Sequence, residues 1–256
     1  MFPAGPPLSR RTFVCLTCAQ VLAQPALSAQ PRHLGCHIDE DELNRLISDH
    51  HGLVTAFRVG EREIPFSGNP DFDRALGRQL VKLAMSFTVG PGFMYMDDVN
   101  GMNAAASSAT RVPGTAGTVL FGIRLLRDLM ARGSGGDMAV LGVCAHEFGH
   151  IHQYFSGDYG ALRSAHPTVK LVELQADFLA GYFVAAVKME RPHVELQAFL
   201  NFLFRAGTYD ADNPNFHGTP RERVLAAEQG MAAAQARTPF RRAAAEGRQY
   251  VLQNFR

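Results

Sequence analysis

Residues Cys144–His150 of this chain read CAHEFGH, which places two histidines four positions apart around a glutamate. Apolar residues precede and follow the stretch, a pattern typical of a buried helix. Because an α-helix takes about 3.6 residues per turn, His146 and His150 share one helix face. Two imidazoles so placed can bind one Zn²⁺ ion, and Glu147 can then act on a metal-activated water. The stretch therefore predicts a metal-binding helix, which we place at residues 137–155.

A second apolar helix, predicted at residues 169–184, carries two acids four positions apart, Glu173 and Asp177. These acids share one helix face, and on a buried face they repel each other unless a cation lies beside them. We therefore assign Glu173 as the third protein ligand of one zinc ion per chain, the number of protein ligands in catalytic zinc sites. Asp177 is expected to accept the ring N–H of a zinc-bound histidine, most simply His146.

In this order, the two motifs resemble the active site of the gluzincin-type zinc metallopeptidases. The segments His146–His150 and Glu173–Asp177 are most similar to the bacterial neutral zinc metallopeptidase group, and more distantly similar to the HtpX-like and CAAX-prenyl-protease group. The similarity extends over residues 70–235, whereas residues 30–69 match nothing in that group. The resemblance adds an expected fold and activity to what the residues predict by themselves.

The fold that the resemblance implies is α+β, a mainly helical zincin-like domain with a small sheet. It implies that the predicted strand Thr118–Phe121 is the edge strand of this sheet and flanks the zinc helix. An extended polypeptide substrate can pair with the unpaired backbone groups of an edge strand. The short apolar composition of this strand also permits an interior position, with a neighbouring strand on each side.

Motif and resemblance together predict a zinc-dependent endopeptidase, a hydrolase that uses a metal-activated water and Glu147 as general base. Peptide hydrolysis builds an oxyanion, and our candidate to stabilise it is His217, which precedes a helix with a capping box at Thr219. Tyr209 is a second candidate for that role. Turn chemistry equally allows His217 to bond only within its own loop. Two other functions stay open: a non-catalytic zinc-binding or chaperone-like module, and a zinc amidohydrolase with a non-protein substrate.

Length and composition predict a single domain over residues 30–256, and the resemblance implies that it is a metallopeptidase domain. A chain of 256 residues, 46% of them hydrophobic, can bury one sizeable core. No apolar run reaches the roughly 18 uninterrupted residues of a membrane helix, so we expect no transmembrane segment. The formal net charge of +1 does not favour nucleic acid as a partner. The expected partner is a polypeptide substrate, and the oligomeric state stays open.

The first 29 residues are predicted to be an export signal peptide. Arg10 and Arg11 precede a modest apolar stretch that ends in small residues, as in twin-arginine signals. Export predicts a periplasmic or secreted protein, whereas the alternative is a disordered tail with an incidental arginine pair. In an oxidising compartment Cys36 and Cys144 can form a disulfide only if the fold brings them together.

Overall fold

A computed structural model describes residues 38–49, 55–59, 67–99, 101 and 103–256. The described residues belong to one compact unit, His33–Arg256. Within them the chain forms nine helices and four strands, which confirms a mainly helical α+β fold with a small mixed sheet. The export signal predicted for residues 1–29 lies outside the described residues, and so does Cys36.

The helices lie mostly in the second half of the chain. They are α1 (Glu40–Asp49), α2 (Pro70–Phe87), α3 (Ile123–Met130), α4 (Gly136–Ser156), α5 (Asp158–Ala165), α6 (Lys170–Glu190), α7 (Gln197–Ala206), α8 (Pro220–Gln235) and α9 (Phe240–Asn254). The strands are β1 (Thr55–Arg58), β2 (Gly92–Met96), β3 (Ala104–Ser107) and β4 (Thr118–Gly122). The helix predicted at residues 137–155 is α4, which is one residue longer at each end.

The prediction that Thr118–Phe121 forms an edge strand is wrong. The sheet has the order β1-β2-β4-β3, so β4 is an interior strand. It pairs in parallel with β2 on one side and antiparallel with β3 on the other. Because two neighbours satisfy its backbone groups and both its faces are covered, all five of its residues are buried. The edge strand beside α4 is instead β3, where Tyr154 of α4 donates a hydrogen bond to the carbonyl of Ala106 at 3.3 Å.

Helices cover the sheet on two faces. Successive side chains of a strand point to opposite sides, so neighbouring residues of one strand pack in different clusters. Val119 and Phe121 belong to the main core, which includes Phe148 of α4. Leu120, between them in the chain, packs instead in a smaller cluster that includes Leu43 of α1. This double burial explains why β4 reads as a continuous apolar run rather than as an alternating one.

Helices α4 and α6 cross at Gly149, where small residues allow a close approach. A Cβ atom on Gly149 would lie 3.3 Å from the Cα atom of Ala176. A side chain on Gly230 of α8 would likewise collide with the backbone carbonyl of Phe178 on α6. The first contact brings the acids of α6 to the histidines of α4, and the second brings α8 against the same part of α6.

The longest helices are α4 and α6, with 21 residues each, and most of their residues are buried in the core. Both interrupt their apolar sequence with buried histidine, glutamine or acidic side chains. In the part of the chain that the structure describes, no helix has both the length and the apolarity that crossing a bilayer requires.

Candidate metal centre

The three predicted metal ligands converge where α4 and α6 cross. The Nε2 atoms of His146 and His150 lie 3.1 Å apart. The Glu173 carboxylate places Oε2 3.2 Å from Nε2 of His146 and Oε1 3.4 Å from Nε2 of His150. In a tetrahedral zinc site with bonds of about 2.0–2.1 Å, neighbouring ligand atoms lie about 3.3–3.4 Å apart. The spacing of this buried group therefore fits a single metal ion.

Polar contacts at the far side of each ring indicate where the imidazole protons lie. Nδ1 of His146 lies 2.8 Å from Oδ1 of Asp177, and Nδ1 of His150 lies 2.8 Å from Oε1 of Gln153. The amide nitrogen of Gln153 donates to the carbonyl of Val172 at 2.8 Å, so its oxygen faces His150. Both partners are acceptors, so both rings carry the proton on Nδ1. In the neutral rings the two Nε2 lone pairs then face each other and the Glu173 carboxylate.

Such a group of lone pairs in a buried space is unfavourable without a cation, and a metal ion is a cation that binds all three donors. Burial alone would raise the pKa of Glu173, but the nearby His217 and His150 hold it well below its usual range. Glu173 is therefore an ionised carboxylate, the form that ligates a metal.

Arg223 of α8 is a site residue that the sequence analysis missed. Its Nε donates to Oδ2 of Asp177 at 2.7 Å and its Nη2 donates to Oδ1 at 2.9 Å. Burial alone would raise the pKa of Asp177, but Arg223 and His146 outweigh burial and lower it. The expected contact between Asp177 and His146 is thus present, and Arg223 fixes the Asp177 carboxylate from the side of α8. A buried acid needs a cationic partner, so the sequence could have indicated that an arginine or lysine lies near Asp177. It does not say which one.

His217 lies in the loop between α7 and α8 and is brought to the metal centre. Its side chain is buried, and its Nδ1 lies 3.6 Å from Oε2 of Glu173. Its Nε2 makes no hydrogen bond within the described residues. Gly218, which follows it, has a φ of 104° and accepts the N–H of Thr208 at 3.1 Å, so a left-handed backbone and a cross-loop bond hold His217 in place. Burial lowers the pKa of His217. Tyr209, the second candidate, is 79% exposed.

Glu147 and Cys144 lie on the same buried helix as the two histidines. Glu147 is 1% exposed, so it lies in the protein interior beside His146. Cys144 is a free and fully buried cysteine, and burial followed by the charge of Glu147 raises the pKa of its thiol. A neutral thiol in such surroundings packs as a small apolar side chain.

Comparisons with protein-family models, with curated proteins and with solved structures each found no match to this chain. The resemblance to gluzincin-type metallopeptidases therefore stays a prediction from the motifs. The observation from which a function can be inferred is therefore the geometry of the group that could hold a metal ion.

Proposed function

We propose that this chain is a zinc-dependent endopeptidase of gluzincin type. The observation that carries the proposal is the convergence of the Nε2 atoms of His146 and His150 on the carboxylate of Glu173, at 3.1–3.4 Å. Two imidazoles and one carboxylate are a donor set of catalytic zinc sites, which keep a further position for water or substrate. Structural zinc sites close with four protein ligands, whereas this group within the described residues has three.

A bound zinc ion would supply a Lewis acid that lowers the pKa of water to about 7 and polarises a carbonyl. Glu147 accepts the proton from the attacking water and returns it to the leaving amine. Its burial, with 1% of its surface exposed, keeps this carboxylate out of bulk solvent. We assign stabilisation of the oxyanion to His217, because its Nε2 is buried and makes no hydrogen bond within the described residues.

We assign peptide binding to the outer edge of β3 instead of to β4. The carbonyl of Asn103 accepts the N–H of Gly122 at 2.9 Å, so the alternation of an antiparallel ladder turns the backbone groups of Ala104 away from β4. Further along the same edge, the carbonyl of Ala106 already accepts the N–H of Ile38 at 3.1 Å. Ala104 is therefore the position where an extended peptide would add, and main-chain pairing there gives affinity with little side-chain preference.

The test uses the purified full chain, with bound metal measured by mass spectrometry and hydrolysis of casein and a peptide library measured in parallel. We expect one zinc per chain and peptide cleavage that stops on chelation and returns with zinc. Glu173→Gln should lose both, whereas His152→Gln, a matched control on the same helix, should lose neither.

Two other outcomes would each replace the proposal with one of its alternatives. Zinc binding without hydrolysis of any peptide or small amide indicates a non-catalytic zinc-binding or chaperone-like module. Hydrolysis of small non-peptide amides indicates an amidohydrolase if casein and peptides are left uncleaved.

A further inference from the structure

We infer that two buried glutamines, Gln153 and Gln175, are positioning residues that hold His150 in its metal-binding tautomer. They form an amide relay that begins at Asp158 and ends at the ring of His150. The inference rests on the proposed metal centre and adds to it the groups that support its second histidine.

The direction of the relay is determined at its far end by Asp158, whose carboxylate pairs with Arg248 and accepts hydrogen bonds. Nε2 of Gln175 donates to Oδ2 of Asp158 at 2.9 Å and to the carbonyl of Ala244 at 3.3 Å. Both amide protons of Gln175 are thus directed to acceptors that cannot reverse their role. The amide oxygen of Gln175 must therefore point the other way, toward Gln153.

Gln153 continues the relay in the same sense. Its Nε2 donates to Oε1 of Gln175 at 3.0 Å and to the carbonyl of Val172 at 2.8 Å. Its own Oε1 is left to accept the N–H of His150 Nδ1 at 2.8 Å. Turning either amide over would bring oxygen against oxygen or N–H against N–H. The carbonyl of Val172 and the oriented amide of Gln175 therefore both turn the oxygen of Gln153 toward His150, which leaves a lone pair on Nε2 of the neutral ring.

Burial makes this orientation strict. Gln153 and Gln175 have no exposed surface, so no bulk water can replace a lost partner. The two histidines are consequently supported by different chemistry. His146 is supported by the carboxylate of Asp177, and His150 is supported by the amide of Gln153, which its own hydrogen bonds orient. The relay reaches the surface at α9, where Arg248, 44% exposed, donates to Oδ1 of Asp158 at 3.0 Å.

Removing the amides should affect the metal centre in proportion to their distance from it. Gln153→Met removes the acceptor of the His150 proton, and we expect zinc affinity to fall about 10–100-fold, as is typical when such supporting groups are lost. Gln175→Met leaves Gln153 its bond to Val172, so a smaller loss is expected. Gln79→Met is the matched control, because Gln79 is also a buried glutamine but lies on α2 and outside the relay.

The experiment measures two quantities on the full-length chain: zinc affinity by competition with a chromophoric chelator, and the tautomer of His150 by ring ¹⁵N chemical shifts in the zinc-free protein. We expect the Nδ1–H form in the wild type and in Gln79→Met, and a shift toward the Nε2–H form in Gln153→Met. The tautomer readout separates positioning from mere packing, since a loss of stability alone would not exchange the ring protons.

Wild-type zinc affinity in folded Gln153→Met and Gln175→Met, or an Nε2–H tautomer of His150 in the wild type, would overturn the relay and leave the metal centre standing. A wild-type chain that binds no zinc would overturn the metal centre, and the relay's proposed role with it. If Gln153→Met does not fold, Gln175→Met decides by the same two readouts: a partial shift toward the Nε2–H form with reduced zinc affinity supports the relay, and wild-type values of both overturn it.

Discussion

The guanidinium of Arg223 donates two hydrogen bonds, at 2.7 and 2.9 Å, to the carboxylate of Asp177. Both side chains are buried, so the loss of either one leaves an uncompensated charge in the interior. Because Asp177 also lies 2.8 Å from Nδ1 of His146, the same carboxylate orients a proposed metal ligand. We therefore expect changes at this ion pair to affect metal affinity and fold stability together.

Asp177→Asn should weaken zinc binding about 10–100-fold, because an amide orients the His146 proton less firmly than a carboxylate. Chelator competition measures this effect. Asp98→Asn is the control, since Asp98 is also a buried carboxylate but accepts the N–H groups at the start of α3. Unchanged affinity in Asp177→Asn would remove Asp177 from its assigned role, and an equal loss in Asp98→Asn would assign the effect to general destabilisation.

The same ion pair should make stability depend on pH in acid. The pKa of Asp177 lies below its ordinary value of 3.8 in the folded chain. A carboxylate of this kind stabilises the fold above its unfolded pKa, and the stabilisation disappears as pH falls through the folded pKa. In the zinc-free protein, the difference in free energy of unfolding between wild type and Asp177→Asn should be constant from pH 7 to about 5 and shrink below about pH 4. Denaturant titrations at each pH measure it, and a difference that grows in acid would contradict the assignment.

Proline substitutions separate the interior strand from the edge strand. Val119→Pro removes a ladder N–H from β4, which has a neighbour on both sides, so fold and zinc binding should be lost together. Ala104→Pro removes an N–H that points away from β4, so KM for peptides should rise while zinc binding persists. Steady-state kinetics and zinc stoichiometry test both variants, and unchanged peptide kinetics in folded Ala104→Pro would mean that peptides bind elsewhere.

His217→Phe should lower kcat about 10²–10³-fold, the usual effect of removing one oxyanion donor, with little change in zinc affinity. The phenyl ring keeps the bulk of the buried imidazole and removes its polar nitrogens. Tyr209→Phe tests the second candidate in the same loop, and because Tyr209 is 79% exposed we expect kcat to stay unchanged. A wild-type kcat in His217→Phe would limit His217 to a structural role.

The sequence predicted the parts of this centre that depend on local periodicity. His146 and His150 share a face because they lie one turn apart on a helix, and the same holds for Glu173 and Asp177. The cost of burying such groups then indicated a shared cation. Both arguments use short stretches of chain, and the structure brings His146, His150 and Glu173 together as expected.

The missed residues come from parts of the chain far from their partners. Arg223 is 46 positions from Asp177, and Gln175 is 22 positions from Gln153, so only the packing of α6 against α4 and α8 makes them neighbours. The position of β4 in the sheet was open for a related reason. An apolar strand of five residues suits an interior place and a covered edge equally well, and only the pairing with β3 decides between them.

We propose that the protein holds zinc through His146, His150 and Glu173 and hydrolyses peptides with Glu147 as general base. The most direct test compares Glu147→Gln with the wild type, measuring zinc stoichiometry and peptide turnover on the same preparations. We expect one zinc per chain in both proteins and a turnover about 10²–10⁴-fold lower in Glu147→Gln, because only the proton acceptor is removed. Near wild-type turnover in zinc-loaded Glu147→Gln would contradict the role of Glu147 as general base.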